Sequence, residues 1–190
     1  MKRILSAGFV LLLLTACAGV PREQPLARDQ LEDFVLEARF SLRVSQPGKA
    51  PQSAGGRLSW QQKGAGGRIL LSSPLGFALA EITSEPGHAT LRTANGEVRE
   101  SDNPERLIED MTGQRLPVQR IPDWLLGRAG NQATMTHDPA GRPQQLDEAG
   151  WQVDYHYEDS AVDALPSRLT IKHGSDLELR LRIETWSVAR

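Results

Sequence analysis

Cysteine is almost absent from this sequence: Cys17 is the single one in 190 residues. No intramolecular disulfide can form, even in an oxidising compartment, so stability has to come from packing. Beyond the N-terminus no segment approaches the about 20 apolar residues needed to span a bilayer. Neither sign of charge dominates, with 22 Lys and Arg against 24 Asp and Glu. The lack of a basic excess argues against nucleic acid as a partner. Catalytic signatures are missing too: there is no G-x-S-x-G elbow, P-loop or G-x-G-x-x-G. His88, His137, His156 and His173 show no metal-ligand spacing. The run His173-Gly174-Ser175-Asp176 holds hydrolase-type residues but lies between two strands, where it reads as a hairpin turn. Asp102, Glu105, Glu109 and Asp110 gather at a helix start, where carboxylates suit the dipole. No enzyme, metal or cofactor is implied, and no internal repeat is visible.

What is present begins at the N-terminus. Lys2 and Arg3 precede an apolar run from Ile4 to Leu14, and Leu14-Thr15-Ala16-Cys17 follows. A basic start, a short apolar run and small residues before a cysteine describe a bacterial lipoprotein signal. Cleavage before Cys17 leaves its thiol to take a diacylglycerol and its freed amine to take a third acyl chain. One such chain holds a protein only marginally, but each buried CH₂ adds about 0.8 kcal/mol, so three make a lasting anchor. Ala18, rather than Asp, after the anchor favours the outer membrane over the inner one. The expected organisation is a signal peptide over 1–16, a lipidated tether over 17–28 and one domain over 29–190. Loss of Lys2 and Arg3 reduces the basic residues to 20 against 24 acidic ones, a balance of −4.

Hydrophobic periodicity organises the rest. From Asp29, Leu31, Phe34 and Val35 share a face at helical spacing, which predicts a short helix. Phe40, Leu42 and Val44 then alternate with polar residues as a half-buried strand, and Gln46–Gly56 reads as a loop. Strands are expected around Leu58 and Trp60, at Ile69-Leu70-Leu71, over Ala78–Thr83 and over Ala89–Thr93. Asn95-Gly96 is a hairpin signal leading into Glu97–Arg99. Asn103 as N-cap, Pro104 at the first position and Gly113 at the end predict a helix with Leu107, Ile108 and Met111 on one stripe. A second helix ends at Gly127 and buries Ile121, Trp124 and Leu125; it either starts at Pro122 or kinks there. Period two returns over Trp151–Tyr157, Arg168–Lys172 and Leu177–Glu184. Many short antiparallel strands, apolar on one face, predict a strongly curved sheet or barrel, with the two helices placed to close its mouth.

One turn stands out. Ser73-Pro74-Leu75-Gly76 has Pro and Gly where a type I turn wants them. That places Leu75 at the tip, followed by Phe77. Either the turn folds back and Leu75 joins the core, the commoner arrangement, or an apolar tip is left in water.

Four segments together resemble the LolB family: Leu58-Ser59-Trp60-Gln61-Gln62; Leu71-Ser72-Ser73-Pro74-Leu75-Gly76; Met111-Thr112-Gly113 through Leu116-Pro117 to Trp124-Leu125-Leu126-Gly127; and Leu181-Arg182-Ile183-Glu184-Thr185-Trp186. The resemblance implies a mainly β fold, an incomplete antiparallel β-barrel or half-barrel with a short helical lid around an apolar cavity. It also implies the task of an outer-membrane acceptor. Such a protein takes triacylated lipoproteins from a periplasmic, LolA-like carrier and inserts them into the inner leaflet of the outer membrane, acting as a monomer. The family's protruding loop bears an exposed leucine, which places Pro74, Leu75 and Gly76 against phospholipid. Leu58, Trp60, Leu71, Leu79, Leu179 and Leu181 are then expected to line the cavity with the lid residues Met111, Ile121, Trp124 and Leu125. The same residues would equally fill a dry core. The rival reading is a lipid-anchored, non-catalytic scaffold or adaptor of an envelope complex, which needs an exposed face but no cavity.

Overall fold

Alternating burial governs almost every element of this chain. A computed structural model describes residues 27–46 and 48–189, except for the side chains of residues 111 and 112. Cys17 and the tether up to residue 26 lie outside the described residues.

Among the described residues, eleven strands form one antiparallel sheet in the order β6-β5-β4-β3-β2-β1-β11-β10-β9-β8-β7. They are β1 (Phe34–Val44), β2 (Gln52–Lys63), β3 (Gly66–Ser72), β4 (Ala78–Glu85), β5 (His88–Thr93), β6 (Val98–Ser101), β7 (Thr134–His137), β8 (Pro143–Glu148), β9 (Trp151–His156), β10 (Arg168–His173) and β11 (Leu177–Val188). The sheet stays open: β6 and β7 are its edges and do not pair. Two helices, α1 (Pro104–Thr112) and α2 (Ile121–Leu125), occupy the segment that joins those two edges. The connection therefore crosses from one edge of the half-barrel to the other.

The strands that build the core, β1, β4, β5, β9, β10 and the inner parts of β2 and β11, bury one face because their apolar residues fall at every second position. Phe34, Leu36 and Ala38 point inward from β1, Leu58 and Trp60 from β2, and Leu169 and Ile171 from β10. A fully buried leucine, isoleucine or phenylalanine contributes about 1.5–3 kcal/mol, so this face drives folding. The expected helix after Asp29 is replaced by one 3₁₀ turn, Arg28–Gln30. Phe34 is instead the first residue of β1, packed edge-on against Trp186 of β11 at 5.4 Å between ring centres. The helical spacing of Leu31, Phe34 and Val35 was overridden by this pairing across the sheet. The expected loop over Gln46–Gly56 is shorter as well. β2 starts at Gln52 because β1 runs on to Val44, and Gln52 is its register partner.

α1 carries the predicted punctuation. The Asn103 side chain accepts from the Glu105 N–H at 2.8 Å, Pro104 opens the helix, and Gly113 ends it in the left-handed region at φ 68°. α2 begins at Ile121, so Pro122 lies in the first turn, where a missing N–H breaks no helical bond. The helix is not kinked. Its Trp124 and Leu125 enter the core shared by β1, β2, β9, β10 and β11, while α1 packs through Leu107 and Ile108 against β4 and β5.

Candidate functional site: an apolar cavity and an exposed hairpin tip

The two clusters of buried residues do not merge completely. Ile69, Leu71, Val118 and Leu179 are only partly buried and border both. At this seam lies a cavity of about 100 Å³. β1 lends it Phe40 and Leu42, β2 Leu58 and Trp60, β3 Ile69 and Leu71, β4 Ile82, and β11 Leu179 and Leu181. Ile108 of α1, Ile121 of α2, and Leu116 and Val118 between the helices roof it. Trp60 donates its indole N–H to Gln62 Oε1 at 3.1 Å, which ties the one polar edge of the lining to a neighbour in the outer cleft. An apolar space of this kind stays dry and accepts apolar guests.

An outer cleft of about 440 Å³ lies beside it. Trp60, Ile69, Ile82, Ile108 and Val118 border both spaces. The cleft's rim is polar, with Glu32, Asp33, Gln119, Asp123 and Arg128. The arrangement is thus an apolar cavity beside a wetter cleft.

Of the residues singled out in the sequence, Leu58, Trp60, Leu71, Ile121, Leu179 and Leu181 border the cavity. Leu79 does not. It is 45% exposed, on the outer face of β4, because Ala80 and Ile82 take the inward positions of that strand. Trp124 and Leu125 are fully buried in the packed core instead of on the cavity wall. The side chain of Met111 lies outside the described residues. Phe40, Leu42, Ile69, Ile82, Ile108, Leu116 and Val118 were not singled out. For Phe40, Leu42 and Ile108 the signal was present, since each lies on an apolar face already recognised, whereas Ile69 sits in a run of three apolar residues that shows no face.

α2 is held by a half-buried polar network. Arg120 donates to both oxygens of Glu148, at 2.6 and 3.0 Å. Trp124 donates its indole N–H to Glu148 at 3.0 Å, and the Gly130 N–H donates at 3.2 Å. Arg120 also pairs with Asp123. Hydrogen bonding from Arg120, helped by Trp124 and Gly130, holds the Glu148 carboxyl below its ordinary value of 4.5. The same partner raises the Arg120 guanidinium. From the floor, Tyr155 donates its hydroxyl to the Trp124 carbonyl at 2.8 Å, and burial pushes this phenol well up.

The β3–β4 hairpin ends in a tight turn. The Gly76 N–H donates to the Ser73 carbonyl at 2.9 Å, and the Ser73 N–H donates to the Phe77 carbonyl at 2.8 Å. Gly76 has φ 91°, a conformation that side chains resist. The Ser73 hydroxyl accepts from the Phe77 N–H at 3.1 Å. The turn does not fold back: Leu75 is 85% exposed and Phe77 69%. Thr93–Glu97 and Asp138–Arg142 form turns with the same backbone bonds, but their tips carry Ala94-Asn95 and Pro139-Ala140. The large apolar tip is therefore a choice of side chains, not a demand of the turn.

Among the described residues no group of His, Cys, Asp and Glu could hold a metal ion, and no helix is long and apolar enough to cross a membrane.

Known proteins resemble both the fold and the chain. A solved LolA superfamily protein from Nitrosomonas europaea shares the architecture with a TM-score of 0.50 and 10% identity, over 86% of this chain and 90% of that one. An outer-membrane lipoprotein LolB from Dechloromonas aromatica is 56% identical over 174 residues, 92% of each chain. One from Halorhodospira halophila is 36% identical over 196 residues, covering 97% of this chain and 95% of the relative. The family model described as outer membrane lipoprotein LolB matches residues 32–186. With this match reaching every strand of the sheet and both helices, the chain belongs to the LolB family.

Proposed function

We propose that this protein receives triacylated lipoproteins from a LolA-like carrier and releases them into the outer membrane. The observation that carries the reading is the wholly apolar cavity, which shares part of its wall with a larger cleft between the sheet and the helices. A triacylated protein exposes about forty CH₂ groups, and at about 0.8 kcal/mol each their transfer through water costs about 30 kcal/mol. A shielded hand-over removes that barrier. Only about 1.4 kcal/mol of extra affinity gives each tenfold bias toward the acceptor, so no nucleotide is needed at this end. A filled scaffold has no use for such a chamber.

At about 100 Å³ the cavity has room for roughly three waters at about 30 Å³ each. That is far less than one acyl chain. Cargo therefore enters by moving part of the roof. α2 is pinned by Glu148 and Tyr155, so α1 is the part that moves. Cys17, acylated, anchors the domain over 29–190 to the periplasmic face of the outer membrane, where the protein works as a monomer. Pro74, Leu75 and Gly76 bring the tip to phospholipid. One leucine buried there contributes about 1.5–3 kcal/mol, enough to bias docking and too little to anchor.

The test is transfer of a radiolabelled lipoprotein from the carrier to the purified protein. Transfer to a stable complex is expected, and its absence overturns the acceptor reading. Leu75→Glu separates the steps: uptake should persist while insertion into vesicles falls about tenfold or more, following the lost leucine burial. Intact insertion would remove the bilayer role from Leu75.

A further inference from the structure

The outer face of the sheet carries a charge pattern that neither the cavity nor the tip uses. Arg57 of β2 is the register partner of Arg39 of β1. Arg39 faces Arg182 of β11, and Arg182 faces Arg168 of β10. Four neighbouring strands thus present arginine at one level, all exposed and all opposite the cavity side. With strands about 4.8 Å apart, the row is about 14 Å long. Like charges directly across a sheet are destabilising, so such a row works against the fold that bears it.

Its charge is also left available. Arg39 pairs with Glu184 at 2.7 Å. Arg57, Arg168 and Arg182 make no ion pair with a described residue. Two nearby carboxylates are already paired, Glu178 with Arg180 and Asp154 with Lys172; Glu37 only accepts from the Ser59 hydroxyl and keeps its charge beside the row. A shallow groove on this face is bordered by Arg39, Arg168, Lys172, Arg180 and Arg182. The row begins at the hairpin, because Arg57 is the register partner of Ser72, the last residue of β3 before the Leu75 tip.

We infer that this arginine row is a binding site for anionic phospholipid headgroups, a second membrane contact beside the apolar tip. The inference rests on the proposed entry of Leu75 into the bilayer. Arginine's planar fork matches a phosphate with two parallel hydrogen bonds. The whole chain carries a net charge of −2, so an anionic leaflet would repel it were its charge spread evenly. Segregating cations next to the apolar tip resolves this. A leaflet entered by Leu75 brings its headgroups alongside Arg57 first, and a protein lying down on it engages Arg39, Arg182 and Arg168 in turn.

The experiment is vesicle sedimentation in a Cys17→Ala background, which removes the proposed acylation site and leaves every described element intact. Vesicles of phosphatidylcholine alone are compared with phosphatidylcholine mixed with phosphatidylglycerol, at low and high salt. The parent should bind the mixed vesicles more tightly, and salt should erase the difference. Arg57→Gln, Arg168→Gln and Arg182→Gln combined should lower binding to mixed vesicles about a hundredfold, at about fivefold per basic residue. Binding to neutral vesicles should not change. A thermal melt checks the fold, which relief of the like-charge row should preserve or strengthen. Arg168→Gln alone, farthest from the tip, gives a fivefold readout should the combination fail to fold. Leu75→Glu should weaken binding to both kinds of vesicle. Unchanged binding by the arginine variants with loss in Leu75→Glu overturns the row and leaves the tip reading standing. The reverse pattern overturns the tip reading alone. Parent binding that ignores anionic lipid, with the row needed only for uptake from the carrier, overturns the lipid assignment in favour of an acidic protein face.

Discussion

Glu148 illustrates how much rests on one side chain. It lies on β8, yet its bonds reach Arg120 at the entry to α2, Trp124 inside that helix and Gly130 beyond it. Glu148→Gln keeps the shape and loses the charge. It should destabilise the protein by about 1.5–3 kcal/mol, the usual worth of hydrogen bonds to a charged group. Because the folded carboxyl titrates below its ordinary 4.5, its contribution is fully present above that value. It is lost as pH falls through the depressed one. Urea unfolding from about pH 7 to about pH 3 should therefore show the parent and Glu148→Gln curves converging in acid. Parallel curves would mean that the carboxylate does not fasten α2.

The two helices are unequal in attachment. α2 buries Ile121, Trp124 and Leu125 and is bonded from two strands, whereas the ion pairs of α1 are long: Arg99 to Asp110 at 3.9 Å, exposed on both sides, and Arg115 to the half-buried Glu105 at 3.4 Å. Local opening should therefore involve α1 first. Amide hydrogen exchange in α1, at Leu107 to Glu109, is expected to proceed at opening energies well below the global value. Trp124 and Leu125 should exchange only with the sheet; equal protection of both helices would deny α1 the part of the moving roof. The elements also differ in how far the sequence announces them. α1 was legible because Asn103, Pro104 and Gly113 act locally. β7 and β8 were not expected: Thr134–His137 has one apolar residue, Met135, and in Pro143–Glu148 only Pro143 and Leu146 are buried. Such strands are specified by their neighbours, β8 by its pairing with β9. The site divides in the same way. Alternation identifies Leu58 and Trp60 as inward, but whether an inward residue meets a void or a neighbour depends on the gap between two clusters. This is why Trp124 and Leu125, inward like the rest, are packed core. Leu79 followed Leu71 in the expectation, yet the register shift between Leu71 and Ser72 and the turn between them put it on the outer face.

At the scale of the molecule, the sheet is two consecutive meanders, β1–β6 and β7–β11, joined by one long pairing of β1 with β11. The chamber lies where both halves and the crossing helices meet, so filling it ties all three together. A free fatty acid below its micelle concentration, at about one hundred times its Kd, should stabilise the protein by about 2.7 kcal/mol. For a domain of this size that is a rise in Tm of about 5–10 °C. No shift would describe a filled core. The same topology governs the order of assembly. Within each meander a strand meets its neighbour soon after both exist, but Phe34 waits for Val188 and Val44 for Leu177. Such distant pairings are slow to form. The central strand is therefore sealed late, when β11 has arrived, and a chain that lacks β11 keeps β1 half-paired. A polypeptide built this way stays threadable until its last strand is through.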